Sequence, residues 1–302
     1  MFKKVNLTKK DIESILQNYD LGYLDKAEKI KEGEVNTSYY IKTNKKEALL
    51  RVYRPKFSKE EINLEHKLIK KLKQIKQVPK LYENKQGLTL TEYKEHKISI
   101  FEYKKGEKIE ANNINTSQLK NLAKLTANMH KVLEGFKPKE AIDKEAITKE
   151  SVKHHLNKIK NLPKTKKEYV LNVLSDIKYP KNLSKRIVHA DMHLGNMVFD
   201  EKQVTGLFDF DDCFYGPKLM DIASIIRYVC FYDKKLDKKR VNIFLEEYQK
   251  HITLSKTEKA NLWQITRLFN ITHYVYNLYD EKNWNKKLNH EYFEEEMENY
   301  IN

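Results

Sequence analysis

The chain has 302 residues, of which 40% are hydrophobic, with only 8 Gly, 6 Pro and 2 Cys. That composition supplies one large or two modest packed domains and argues against a collagen-like tract, a long disordered region or a disulfide framework. Lys plus Arg number 58 against 43 Asp plus Glu, a formal net charge of +15 that could serve nucleic acid or an anionic membrane.

The lysines are scattered among Glu, Asp and Asn in KKLKQIKQVPK, NKIKNLPKTKKE and YDKKLDKKR, the pattern of a solvated surface. No RNP-like strand, Cys/His finger or helix-turn-helix pattern accompanies them, so nucleic acid is not an expected partner. No stretch approaches the roughly 18–20 apolar residues of a membrane span. The opening MFKKVNLTKKDIES lacks the apolar core and cleavage site of a secretory signal. With Cys213 and Cys230 the only cysteines, a cytoplasmic protein is expected.

In chain order, a helix is predicted over Lys9 to Gln17 with Thr8 as its N-cap. KAEKIKEGEVNTSYYIKT and EALLRVY then read as strands joined by a turn at Asn44–Lys46. Ser58, followed three residues later by Glu61, starts a helix to about Gln74 with Ile62, Leu64, Leu68, Ile69 and Leu72 at helical spacing. GLTLTEY and KISIFEY add two short strands. After a connection near 102–107 the pattern turns helical. Thr116 or Ser117 caps a helix with Leu119, Leu122, Ala123, Met129 and Val132 on one stripe. Residues 138–180 read as helical with a break at Pro163, and 219–302 as helices rich in Leu, Ile, Phe and Tyr. The expected fold class is α+β and bilobal: a small β-rich lobe over 1–105 and a larger, mainly helical lobe over 106–302.

The chemistry concentrates in 189–212. HADMHLGN places Asp191 and Asn196 five residues apart, the spacing of a kinase catalytic loop in which Asp accepts the substrate hydroxyl proton and Asn holds a metal. MVF (197–199) and VTGLF (204–208) flank the polar turn Asp200–Gln203 and predict a hairpin. A hairpin brings its outer ends together, so Asn196 and Asp209 are expected at one mouth, where oxygen ligands could hold Mg²⁺ on a triphosphate. His189, taken alone, reads as a hydrogen-bonded structural residue. His189, Asp191 and His193 could alternatively serve a zinc hydrolase, which wants His and acidic ligands. The following Asn and Asp-x-Asp favour hard oxygen ligation instead.

The pattern VHADMHLGN followed by LFDFDD resembles the aminoglycoside phosphotransferase/choline kinase-like kinases, with their H-[GA]-D-x-H-x-x-N loop and hydrophobic-D-[FW]-[DE] segment. The resemblance implies a protein-kinase-like fold and an ATP- and Mg²⁺-dependent kinase acting on a small-molecule hydroxyl. It implies Asp191 as catalytic base, Asn196 and Asp209 as metal ligands, and His189 and His193 as residues that shape the catalytic loop. Asp211 and Asp221 take supporting roles, Asp221 bracing the loop from the helix that GPKLMDIA opens. EGEVNTSYYIKT resembles the G-x-x-N-x-x-Y start of type II homoserine kinases, and NYDLG resembles their N-terminal stretch. LLRVYRP resembles the stress response kinase. Arg51 and Glu65 are implied as the phosphate-directed ion pair, and Glu102 and Tyr103, in IFEYKKG, as the adenine-binding hinge.

Two departures from the kinase pattern stand out. No G-x-G-x-x-G is present, so phosphate contact would come from backbone N–H groups at a tight turn around Asn36, Thr37 and Ser38. The third-strand position holds Arg51 where most kinases have Lys, a planar fork in place of a point charge. Homoserine, an amino alcohol, a sugar derivative or an aminoglycoside are the candidate acceptors. A protein Ser/Thr kinase of stress-response type and a nucleotide-binding regulator without turnover are the alternatives.

Overall fold

A computed structural model describes residues 5–30, 36–143, 147–179, 182–279 and 289–301. The chain divides into two compact units: Met1–Lys105 with Gly206–Asp211, and Gly106–Thr205 with Asp212–Asn302.

The first unit opens with α1 (Lys9–Leu16), one residue shorter than predicted, capped by the reciprocal bonds of Thr8 and Asp11. Then come β1 (Leu24–Lys29), β2 (Thr37–Thr43) and β3 (Glu47–Val52). Next are α2 (Lys59–Lys71), capped by Ser58 and Glu61, and β4 (Leu81–Tyr82), β5 (Thr91–Tyr93) and β6 (His96–Glu102). The antiparallel sheet runs β1-β2-β3-β6-β4, with β5 also on β6. Alternate residues of its strands, among them Tyr39, Ile41, Leu50, Ile98 and Ile100, bury themselves with Ile12, Ile15 and Leu16 of α1. The predicted strand GLTLTEY contracts to its last three residues. Asn84 is the cause: its side-chain oxygen accepts from the N–H groups of Gln86 and Leu88 at 3.0 and 2.9 Å, which curls that stretch into a loop. β4 is two residues long, too short for any periodicity to announce it.

The second unit begins its helices with α3 (Thr116–Val132), α4 (Lys139–Asp143), α5 (Lys149–Lys158) and α6 (Lys164–Asp176). The cap of α3 is Asn115, paired with Gln118, and neither Thr116 nor Ser117: Asn115 is the residue with extended backbone, and its oxygen accepts from Gln118 N–H at 2.9 Å. Pro163 stands immediately before α6, where a residue without an N–H is least costly. β7 (Lys185–Val188), β8 (Met197–Phe199), β9 (Val204–Leu207) and β10 (Phe214–Pro217) follow, with β8 and β9 forming the predicted hairpin. β7 pairs antiparallel with β10, a ladder the sequence reading did not anticipate. The chain continues through α7 (Leu219–Val229), a two-residue-per-strand hairpin of β11 (Phe231–Tyr232) and β12 (Lys235–Leu236), then α8 (Lys238–Gln249), α9 (Lys256–Leu278) and α10 (Asn289–Ile301). No helix among the described residues is long and apolar enough to cross a membrane.

Candidate active site

In the first unit, β3 carries Arg51 and α2 carries Glu65. Arg51 is 7% exposed and Glu65 1%. Arg51 Nη1 donates to Glu65 Oε1 at 2.8 Å, and the Tyr53 hydroxyl donates to Glu65 Oε2 at 2.7 Å. Both carboxylate oxygens are therefore engaged. The guanidinium also lies over the rings of Phe101 (5.1 Å) and Tyr53 (6.0 Å). Burial works against the arginine's charge, but Glu65 and then Asp209 more than offset it, so Arg51 is held protonated more firmly than usual.

Asp209 belongs to the same unit, and its Oδ1 stands 3.4 Å from Arg51 Nη1. Its backbone is left-handed, with φ of +68°, a conformation that costs roughly 1–3 kcal/mol in a residue other than glycine. Its Oδ1 is buried and accepts no hydrogen bond, as is Arg51 Nε on the donor side. Asp211 follows in the one-turn helix Phe210–Asp212, and its charge adds to the field on Arg51.

The other residues predicted in this unit are spread more widely. The side-chain oxygen of Asn36 accepts from Arg54 N–H at 3.2 Å. Thr37 and Ser38 lie in β2, opposite Val52 and Arg51, and not in the tight turn expected. The preceding stretch 31–35, the start of the expected phosphate-covering loop, lies outside the described residues. Glu102 ends β6, and its N–H is already given to Lys80 O at 2.8 Å. Tyr103 follows with its ring edge-on to Tyr40.

In the second unit, β7 delivers the chain into the loop 189–193. His189 is buried, and Ala190 has a φ of +65°. That left-handed residue is held by Asp221, at the start of α7. Asp221 Oδ2 accepts from His189 N–H at 3.1 Å, and its Oδ1 accepts from Ala190 N–H at 2.8 Å. The same carboxylate meets His130 Nε2 at 2.9 Å, and His130 Nδ1 meets the Tyr248 hydroxyl at 2.7 Å. One turn along α7, Ser224 Oγ accepts from Met192 N–H at 2.9 Å. Burial raises the pKa of Asp221, but its His130 bond and the nearby histidines outweigh that and bring it below the ordinary carboxylate value. Asp221 is thus an anion spent on holding backbone.

Asp191 is oriented differently. Asn196 Nδ2 donates to its Oδ2 at 2.8 Å and to its backbone carbonyl at 3.1 Å. His193 Nε2 is 3.3 Å from the same Oδ2, and His189 Nδ1 accepts from Asp191 N–H at 3.3 Å. Burial pushes the Asp191 carboxyl up, and the His193 bond and charge pull it back below its usual value. Gly195 makes room for this arrangement: a Cβ there would fall 2.5 Å from His193 Cε1.

Asp191 and Ala190 also line a cavity of about 310 Å³ within the second unit, together with Ile147, Asp212, Phe214, His273 and Tyr276. His273 Nδ1 is 3.1 Å from the Tyr228 hydroxyl. Burial keeps the imidazole neutral, with its pKa down at about 4.

Sequence reasoning pointed to Asp221 but missed the side chains around it. His130, Tyr248, Ser224 and Tyr53 each sit in an ordinary helical or strand context, and only Tyr53, two residues past Arg51 on the same strand face, left a usable signal. Gly195 could have been read from the loop itself, as a glycine between two functional positions. A structural zinc site needs four side-chain ligands and a catalytic one three. Among the described residues no group of three or more His, Cys, Asp or Glu side chains is so arranged. Within the first unit, the buried Oδ1 of Asp209 accepts no hydrogen bond and stands 3.4 Å from Arg51 Nη1, a hard oxygen of the kind Mg²⁺ takes.

Residues 26–251 match the phosphotransferase enzyme family. A homoserine kinase of Agrobacterium fabrum is 23% identical over 91% of this chain and 86% of its own length. A homoserine kinase of Zymomonas mobilis is 22% identical over 84% and 81%. Among solved structures, an amicoumacin kinase in complex with AMP-PNP and Ca²⁺ superposes with a TM-score of 0.72 at 18% identity, over 98% of this chain and 93% of that one. The microcompartment-associated aminopropanol kinase gives 0.68 at 16%, over 97% and 98%. The antiparallel sheet of the N-terminal region and the helices of the C-terminal region are the kinase-like fold of these neighbours. The fold and the match over most of the chain agree: this protein belongs to the phosphotransferase enzyme family and is an ATP-dependent small-molecule kinase.

Proposed function

We propose that the protein moves the γ-phosphate of ATP to the hydroxyl of a small, amine-bearing alcohol, with Asp191 as the base. The supporting observation is that Asp191 lines the 310 Å³ cavity while Asn196 and His193 fix its carboxylate and keep it ionised. An acceptor hydroxyl in that cavity would give its proton to the free lone pairs of Asp191 as the oxygen attacks phosphorus. Two carboxylates, Asp191 and Asp212, line the cavity alongside a neutral His273. That lining suits a cationic amine near the reacting hydroxyl.

Asp209 Oδ1 and the Asn196 side-chain oxygen would hold Mg²⁺, which when bound neutralises charge on the triphosphate. Because Asn196 spends its nitrogen on Asp191, its oxygen is the atom left to face a cation. Arg51, aimed by Glu65, would contact phosphate in place of the usual Lys. Asn36, Thr37 and Ser38 remain the proposed approach to the phosphates. At the hinge Glu102 has only its carbonyl to offer adenine, since its N–H is taken, and Tyr103 supplies the N–H. In this reading residues 1–105 bind the nucleotide and 106–302 supply catalysis and the acceptor site. A cytoplasmic location is part of the same reading, supported by two buried cysteines that form no disulfide.

The test is Asp191→Asn. It keeps the shape and removes the base, so kcat for phosphate transfer to an alcohol should fall by roughly a hundredfold or more, with little change in ATP affinity. Near-normal turnover of the variant on an accepted alcohol would refute the assignment.

A further inference from the structure

The cavity beside Asp191 contains a polar group that the transfer chemistry does not use. His273 reaches it from α9, and its Nδ1 is paired with the Tyr228 hydroxyl at the end of α7. Among the described residues Tyr228 has no other hydrogen-bond partner. If the imidazole donated in this pair, the phenol proton would have no acceptor in the protein; donation from the phenol satisfies both groups. Nδ1 is then the acceptor, and a neutral imidazole must carry its proton on Nε2. Burial supports the neutral form. The Phe269 and Tyr276 rings, with centroids 4.3 and 6.1 Å away, hold the imidazole in place. His273 thus brings a fixed N–H donor to a cavity whose other ionisable lining groups, among the described residues, include two carboxylates and no cation.

Behind this pair stands Arg227. Its guanidinium lies 5.6 Å from the Tyr228 ring centre, it is 5% exposed, and it forms no ion pair with a carboxylate among the described residues. Glu294, the acid whose field it feels, is already bonded to Arg267 at 2.8 Å and to Asn270 at 2.9 Å. The His273 wall therefore carries a positive field, while Asp191 and Asp212 contribute negative charge to the lining.

We infer that His273, oriented by Tyr228 and backed by Arg227, is a specificity-determining residue that donates a hydrogen bond to a carboxylate of the acceptor, so that the preferred acceptor is a zwitterionic hydroxy amino acid and not a simple amino alcohol. This rests on the reading of the cavity as the acceptor site. Tyr228 is a positioning residue. It touches the imidazole and not the substrate, and it fixes which nitrogen bears the proton.

Two measurements decide the matter. The first compares L-homoserine with 3-aminopropan-1-ol, which differ only by the carboxylate. Wild type should prefer L-homoserine. His273→Phe should lower the ratio of the two kcat/KM values by roughly ten- to a hundredfold, the size of one hydrogen bond to a charged group, mostly through the KM for homoserine. His273→Gln, which keeps a donor at similar reach, should recover part of the ratio. A wild-type preference for 3-aminopropan-1-ol, or a ratio unchanged in His273→Phe, would overturn the inference. The second uses ¹⁵N-histidine NMR of the whole protein. His273 should be the Nε2–H tautomer in wild type and lose that preference in Tyr228→Phe. Should neither alcohol be phosphorylated, the proposed acceptor class falls by itself, and the tautomer decides: an Nδ1–H imidazole in wild type overturns the inference and the Nε2–H form upholds the donor.

Discussion

The two units hold their functional carboxylates by opposite means. In the first, Glu65 and Asp209 face a buried cation, Arg51, and the charges compensate each other directly. In the second, Asp191 and Asp221 are held by neutral or weakly charged donors: a side-chain amide, histidines and backbone N–H groups. An ion pair tolerates small shifts in position, because Coulomb attraction changes slowly with distance. Hydrogen bonds to backbone do not, because they are directional. In the proposed reading, the first arrangement suits a group that would exchange partners when phosphate and metal arrive, and the second suits a base that would stay where the acceptor hydroxyl is placed.

The sharpest way to break this contrast is at Asp221. Asp221→Ala leaves the His189 and Ala190 N–H groups and His130 without their shared acceptor in a buried site. The expected loss is about 3–5 kcal/mol of stability, with phosphate transfer abolished. Chemical denaturation and steady-state kinetics on the same variant would show it, and unchanged stability would mean the loop is held by something else. Next comes Arg51→Ala, which strands Glu65 without its cation. About 3 kcal/mol of stability should be lost and the KM for ATP should rise at least tenfold, while Arg51→Lys keeps measurable activity. Wild-type kcat and KM for ATP in Arg51→Ala would make Arg51 a strand residue only.

Asp209→Ala should cost less stability than Arg51→Ala, since Arg51 keeps its 2.8 Å pair with Glu65. It should weaken Mg²⁺-dependent nucleotide binding by about a hundredfold, on the order of 2.7 kcal/mol. Calorimetric titration of nucleotide with and without Mg²⁺ measures this, and equal affinity of variant and wild type in Mg²⁺ would remove Asp209 from the metal site. The smallest effect is one of pH. Burial lowers the pKa of His66 to about 4. Between pH 6.5 and 4 the unfolded chain therefore binds the proton that the folded one refuses, and stability falls as the solution is acidified through that window. At pH 5 the cost is about 2 kcal/mol relative to pH 7. His66→Gln should flatten the acid limb of the stability curve by that amount, and an unaltered slope would show that His66 titrates normally.

How much of this could be read from residues alone depended on chain distance. The hairpin of β8 and β9 was legible because two short apolar runs flank one polar turn, and the Asn196–Asp191 contact because five residues separate them. The capping boxes at Thr8 and Ser58 were legible because their partners are three residues away. The partner of Asp221 was not: His130 is 91 residues distant, in a helix whose pattern shows only an apolar stripe. The β7–β10 ladder escaped for a related reason, since its strands are four residues long and β10 ends on Gly and Pro, which leaves too little alternation to register. Residues 87–90 were mistaken for strand because Leu88 and Leu90 alternate with polar residues, and the bonding of Asn84 to backbone overrode that pattern.

The grip of α7 on the loop 189–192 has a consequence for hydrogen exchange. Three of its amides, those of His189, Ala190 and Met192, give their protons to side chains of Asp221 and Ser224, which sit within one turn of a helix that is itself almost entirely buried. A loop in open solvent exchanges its amide hydrogens quickly. Here the three can exchange only when α7 releases the loop, so they should take on the exchange rate of the helix core. An irregular stretch of chain then behaves, on the timescale of deuterium uptake, as regular secondary structure.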